Sequence, residues 1–171
     1  MGMTREALDD VQNCGLPAAL EVMGERWSFM ILRAAFNGVH HFEEYLSALG
    51  IARNILSNRL ARLVEHGIMK REPLPDDRRK IEYRLTDKGM DLLPAMLALR
   101  QWGEKYGCGV PSNPVLCDST DGLPIDQIGI HAHDGRKLFY HELQWRERKD
   151  IGLHSAEHDD ENVRPQLSVL R

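Results

Sequence analysis

The chain has 171 residues, 42% of them hydrophobic and 28% charged, with a formal net charge of −4. That size fits one domain plus an extension, or one domain of unusual width, and the balance fits an ordinary soluble globular protein. No apolar run approaches the roughly 20 residues of a membrane span, and the start "MGMTREALDDVQ" lacks the apolar core of a signal peptide. A cytoplasmic protein that does not enter a membrane is expected, and three cysteines without secretory features argue against a disulfide framework.

Taken along the chain, "LPAALEVMGERWSFMILRAAFNG" reads as two consecutive helices. Pro17 suits a first helical turn. Trp27, Met30, Ile31 and Ala34 follow at helical spacing, and Gly38 is a stop. "HHFEEYLSALG" is a short helix with Phe42, Tyr45, Leu46 and Leu49 on one side, ended by Gly50. After the tight link Ile51-Ala52 a further helix covers residues 53–66 and stops at Gly67. Two helices joined this closely make a helix-turn-helix.

On the second of them Leu56, Leu60 and Leu63 must face the core. The opposite face then carries Asn54, Ser57, Asn58, Ala61 and Arg62, a small, polar and basic surface. It offers donors and acceptors for base edges and an alanine where close approach helps. The bland alternative is a solvated helix face. The adjoining residues favour DNA: "GIMKREPL" and "KIEYRL" alternate like the strands of a hairpin, and the turn "PDDRRK" between them carries Arg78, Arg79 and Lys80 in succession. A hairpin directly after a recognition helix is a wing, here over residues 73–81. Its guanidinium groups would meet phosphates or the minor groove of double-stranded DNA. Asp76 and Asp77 could hold those arginines before DNA arrives, or simply serve the turn. From Arg53 to Lys88 ten basic residues stand against six acids, which leaves +4 where the whole chain is negative.

Thr86 caps a long helix, "DKGMDLLPAMLALRQWGEKYG", expected to bend near Pro94. Leu92, Leu93, Met96, Leu97 and Leu99 form a wide apolar surface, expected through Leu92, Leu93, Met96 and Leu97 to hold a homodimer, whose two recognition helices would read two half-sites. The fold class expected is α+β: a winged helix-turn-helix with a long dimerisation helix over residues 1–107, and a small β-rich extension over 108–171. In that extension "IGIHAHDGRKLFYHEL" reads as a short hairpin turning at Asp134-Gly135, before a polar, acidic tail.

These pieces resemble the HxlR-type branch of bacterial winged-helix transcriptional regulators, relatives of the MarR-like group. The resemblance rests on "NCGLPAALEVMGERWSFMILRAAFNG", "HHFEEYLSALGIARNILSNRLARLVEHGIMKRE" and "IEYRLTDKGMDLLPAMLALRQWGEKYG", and covers roughly Cys14 to Tyr106. It implies a homodimer on a palindromic promoter site. Where relatives often have Ser-Pro-Arg at the start of the recognition helix this chain has Ala52-Arg53-Asn54, so the first base contact could come from Arg53, from Asn54 or from neither. The Gly-Gly-Lys-Trp of relatives is here Gly24-Glu25-Arg26-Trp27, with an added acid.

Cys14 matches the cysteine that in some relatives senses oxidants or electrophiles. Its place just before a helix suits a thiolate, and its alternative role is packing. An effector, if the chain has one, is expected to be an oxidant or a small molecule. For the latter Trp27, Phe29, Phe36, Phe42 and Trp102 could line a cavity, although such a set is more often plain core. Cys108, Cys117, His131 and His133 could be imagined as zinc ligands, but the Cys-x-x-Cys turn of some relatives is broken at Thr120, so no metal and no cofactor is assigned. A metal-dependent or thiol enzyme centred on the extension, or an adaptor that has lost DNA binding, are the rival readings. No Walker loop, dinucleotide glycine pattern, His-Glu-x-x-His or nucleophile elbow supports the first.

Overall fold

The structure is a computed structural model that describes residues 14–108, 113–146 and 148–151. The chain forms two compact units, Met1–Ile128 and Gly129–Arg171.

The first unit opens with α1 (Gly15–Met23), α2 (Arg26–Phe36), α3 (Phe42–Leu49) and α4 (Arg53–Glu65). Each boundary has a local cause. Gly38 and Gly50 adopt φ of 83° and 59°, the left-handed region that ends a helix at little steric cost. At the start of α3 the Glu44 carboxylate reaches back to accept from the amides of His40 (3.1 Å) and His41 (3.0 Å). It thereby satisfies two donors outside the helical ladder.

The core is built where the helical period places it. Ile31, Leu32, Ala34 and Ala35 of α2, Tyr45 of α3 and Leu56, Leu60 and Leu63 of α4 are buried together with Ile68, Met69 and Met96. Trp27, Phe29, Phe36 and Phe42 pack against this cluster, whereas Trp102 is exposed and pairs with Tyr106 at 5.8 Å between ring centroids. The five aromatics thus do not gather around a cavity.

The wing follows α4 across Gly67-Ile68. Strands β1 (Met69–Pro73) and β2 (Ile81–Leu85) pair antiparallel with Met69 opposite Leu85 and Pro73 opposite Ile81. His41 bridges to Glu82, and the Tyr83 amide donates to His40 O at 2.8 Å, so the wing is also stitched to the start of α3.

After Thr86, which caps as expected by accepting from the Gly89 amide, the long helix is in fact two. The short α5 (Asp87–Met90) ends at Asp91, and α6 (Leu93–Gly103) starts anew, running on as a π-turn over Glu104–Cys108. Pro94 stands in the first turn of α6, where its missing donor costs nothing, so the break falls before the proline and not in mid-helix. A second difference concerns the apolar surface. Met96 and Leu97 are buried in their own chain, and Leu92 and Leu93 pack half-buried against the same core. Of the large apolar side chains of α6, Leu99, part of the expected surface, and Trp102 are exposed, as is Tyr106 beyond the helix.

Residues 113–128 belong to the first unit. Arg100 Nη2 donates to Pro114 O (2.6 Å), and Gln101 holds Asp126 O and the Ile128 amide (3.2 and 2.8 Å). The second unit contains the hairpin β3 (Ile130–His131) and β4 (Lys137–Leu138), which turns at Asp134-Gly135 with Gly135 at φ 84°. Among the described residues no helix is long and apolar enough to cross a membrane.

The Glu44 cap carries a pH dependence. Hydrogen bonds from the backbone amides of His41 and His40 hold its carboxyl below the usual carboxylate range. A group with a depressed folded-state pKa contributes stability that is present above its unfolded value and lost as pH falls through the folded one. Thermal stability should therefore decline on acidification below the ordinary glutamate range. Glu44→Gln should lower stability near neutrality and flatten that decline; parallel melting curves for the two proteins between neutral pH and pH 3 would refute the cap's contribution.

Candidate nucleic-acid interface

Helix α4 is placed by its inner face. With Leu56, Leu60 and Leu63 in the core, Asn54, Ser57, Asn58 and Ala61 come to the surface. These are the small and polar side chains that periodicity puts opposite the leucines.

The arginines of α4 behave differently from one another. Arg53 is exposed but held: its Nη2 lies 2.9 Å from the Glu43 carboxylate, and its guanidinium sits 5.2 Å from the centre of the Phe42 ring. Arg62, expected on the DNA face, turns back instead. Half-buried, it donates from Nη2 to the carbonyl of Glu21 at 2.8 Å, close to the end of α1. The reason is phase: Arg62 precedes the buried Leu63, so a long side chain can fold along the helix to an unmet carbonyl. Arg59, to which sequence reasoning gave no role, forms an ion pair with Glu25, and its side chain is only 20% exposed. The added acid in Gly24-Glu25-Arg26-Trp27 was the signal that could have located this partner.

At the wing the connection between strands spans residues 74–80. It is closed by Leu74 N to Lys80 O and Lys80 N to Asp77 O, both 2.9 Å. Asp77 accepts from the backbone amide of Arg79 (3.1 Å) and from its Nε (3.2 Å). The Arg79 guanidinium holds the Asp77 carboxyl below its usual range. Yet the Arg79 side chain remains 92% exposed, and Arg78 and Lys80 are exposed beside it. Three successive cations therefore project from a turn ordered by one aspartate. Further down the strands Lys70 pairs with Glu72 (3.0 Å) and Arg84 with Glu82 (2.7 Å), while Arg71 is exposed on β1.

Cys14 is exposed and is the N-cap of α1, with extended backbone. Among the described residues no group of three or more His, Cys, Asp or Glu side chains is arranged to hold a metal ion.

A family model described as the HxlR-like helix-turn-helix matches residues 22–109, the span of this helix-turn-helix, wing and α6. The chain belongs to the HxlR-like helix-turn-helix family. It is 50% identical over 121 residues to proteins named as uncharacterized HTH-type transcriptional regulators in Mycobacterium bovis (Mb3122) and Mycobacterium tuberculosis (Rv3095), over 70% of this chain and 77% of each relative. Among solved structures, PA1607 superposes with a TM-score of 0.72 at 38% identity, over 80% of this chain and 96% of that one. The redox regulator HypR in its oxidized form superposes with a TM-score of 0.50 at 29% identity, over 54% of this chain and 97% of HypR. As an HxlR-like protein the chain is a helix-turn-helix transcriptional regulator with an α+β winged fold.

Proposed function

We propose that this HxlR-like regulator binds a palindromic duplex as a homodimer, with α4 in the major groove and the wing tip on the adjacent backbone or minor groove. One observation carries the reading. The polar face of α4 is left on the surface while its leucines anchor the core, and the following hairpin ends in Arg78, Arg79 and Lys80. Asn54, Ser57 and Asn58 read base edges, Arg53 contacts the backbone or a first base once released from Glu43, and the wing cations bind phosphates. The function is regulation, not catalysis.

The test separates reading from holding. Ser57→Ala with Asn58→Ala should cost about 1–3 kcal/mol per lost contact on the preferred duplex and little on others. Arg78→Ala with Arg79→Ala should weaken every duplex alike and reduce the salt slope by about one to two charges. Swapped signatures, or a binding constant indifferent to salt in the unaltered protein, would remove α4 and the wing from the DNA.

The homodimer would use the apolar side chains that the chain does not bury itself: Leu16 and Leu20 of α1, Leu99 and Trp102 of α6, and Tyr106. The effector read at Cys14 is an oxidant. An exposed thiol at the N-terminus of α1 lies where the helix dipole favours the thiolate, and the similar HypR is a redox regulator. After treatment with diamide the unaltered protein should release DNA and Cys14→Ser should retain it; equal retention by both, with Cys14 shown to be modified, would leave Cys14 a packing residue.

A further inference from the structure

We infer that Arg59 and Arg62 are positioning residues: they fasten one flank of the recognition helix to the α1–α2 elbow and do not bind phosphate. The inference rests on the proposal that α4 binds DNA. At about 100° per residue, two positions three apart lie about 60° from each other, so Arg59 and Arg62 share one flank of α4, between the buried leucines and the exposed polar face.

Both reach the same elbow. Arg62 donates to the carbonyl of Glu21 at 2.8 Å, and Arg59 pairs with Glu25, four residues further on. The elbow is a stiff anchor. The Gly24 amide donates to Leu20 O at 2.6 Å, the Glu25 amide to Met23 O at 2.7 Å, and a Cβ on Gly24 would overlap Leu20 O. The anchorage is also committed: the Arg59 side chain is mostly buried and pairs with Glu25, so its charge is balanced within the protein, although its buried Nε has no acceptor. An arginine held this way cannot reach a phosphate without giving up that counter-charge. On the opposite flank the Arg53–Glu43 pair is exposed and is released when Arg53 turns to DNA, so the fixed attachment of α4 is the Arg59–Arg62 side. The tilt at which Asn54, Ser57 and Asn58 meet base edges is thereby set by where α1 and the elbow sit, and a movement of α1 would be passed to the reading face through Arg62 and Arg59.

The experiment uses the full chain and the duplex that the unaltered protein enriches from a randomised pool, beside an unrelated duplex of equal length. Affinity is measured for both across a salt series. Glu25→Gln and Arg62→Ala should each lose about tenfold or more in discrimination between the two duplexes, with the salt slope on the unrelated duplex unchanged. Arg59→Lys, which keeps the charge facing Glu25, should retain most of the discrimination. Arg78→Ala serves as the control that does lower the slope. The sign at Glu25 is decisive: a phosphate-binding Arg59 released from its acid would tighten binding to all duplexes and steepen the slope. That result would overturn the inference, as would a slope lowered by about one charge in Arg62→Ala, or discrimination left intact in folded Glu25→Gln. If the unaltered protein enriches no duplex and shows no salt dependence, the DNA-binding reading itself fails, a result distinct from any of these.

Discussion

Leu99→Glu combined with Trp102→Glu should convert the protein to a folded monomer and weaken binding to a two-half-site duplex by about 100-fold or more. The side chains are 53% and 61% exposed in their own chain, so charging them leaves the core untouched. In a dimer the same positions would bury carboxylates without partners, which costs several kcal/mol per pair of contacts and is enough to dissociate a homodimer of ordinary interface size. The loss on DNA follows from linkage. Once one recognition helix is bound, its partner binds at high effective concentration, and that advantage is about 10²–10⁴. Sedimentation of the variant and a titration of one-site and two-site duplexes check the claim. A monomeric unaltered protein would end the homodimer reading, and a variant that remains dimeric would place the dimer contact elsewhere. Charging Met96 or Leu97 instead should unfold the chain, because both are buried within it.

Gly89→Ala should destabilise the first unit by about 2–3 kcal/mol and lower its melting temperature by roughly 10 °C. Two effects oppose each other here. Alanine favours a helix over glycine by about 1 kcal/mol. Against that, a Cβ at the buried Gly89 would overlap the carbonyl oxygen of Ile68 and press Leu85 Cδ2 at 3.1 Å. The carbonyl is backbone, so it cannot swing aside as a side-chain tip could. It also accepts from the Thr86 amide and from Thr86 Oγ1, both at 3.1 Å, while Thr86 Oγ1 donates to Gly67 O at 2.6 Å and Lys88 to His66 O at 2.9 Å. Relief of the overlap would pull apart this clasp between the end of α4 and the start of α5, so overpacking outweighs propensity. A melting temperature equal to that of the unaltered protein would show that the crossing can relax.

What sequence alone determined about this protein depends on near neighbours along the chain, although the break between α5 and α6 before Pro94, also local, replaces an expected mid-helix bend. The helix over α4 and its exposed Asn54, Ser57 and Asn58 follow from leucines at i, i+4 and i+7, because helical phase is a local property. The wing followed from alternation around a turn-forming tip, Thr86 from its capping chemistry, and the turn at Asp134-Gly135 from the need for a left-handed residue. Tertiary structure alone decided where long side chains go. Periodicity marks Arg62 as polar and accessible, yet its guanidinium finds the carbonyl of Glu21, 41 residues earlier, and Arg59 finds Glu25. It likewise marks Leu92, Leu93, Met96, Leu97 and Leu99 as one apolar surface without saying which of them the same chain covers and which are left for a second copy. Three-dimensional packing covers Met96 and Leu97 from within and leaves Leu99 and Trp102 outside. An apolar pattern records that a surface must leave water; which surface it meets is settled by how the remaining helices are arranged around it.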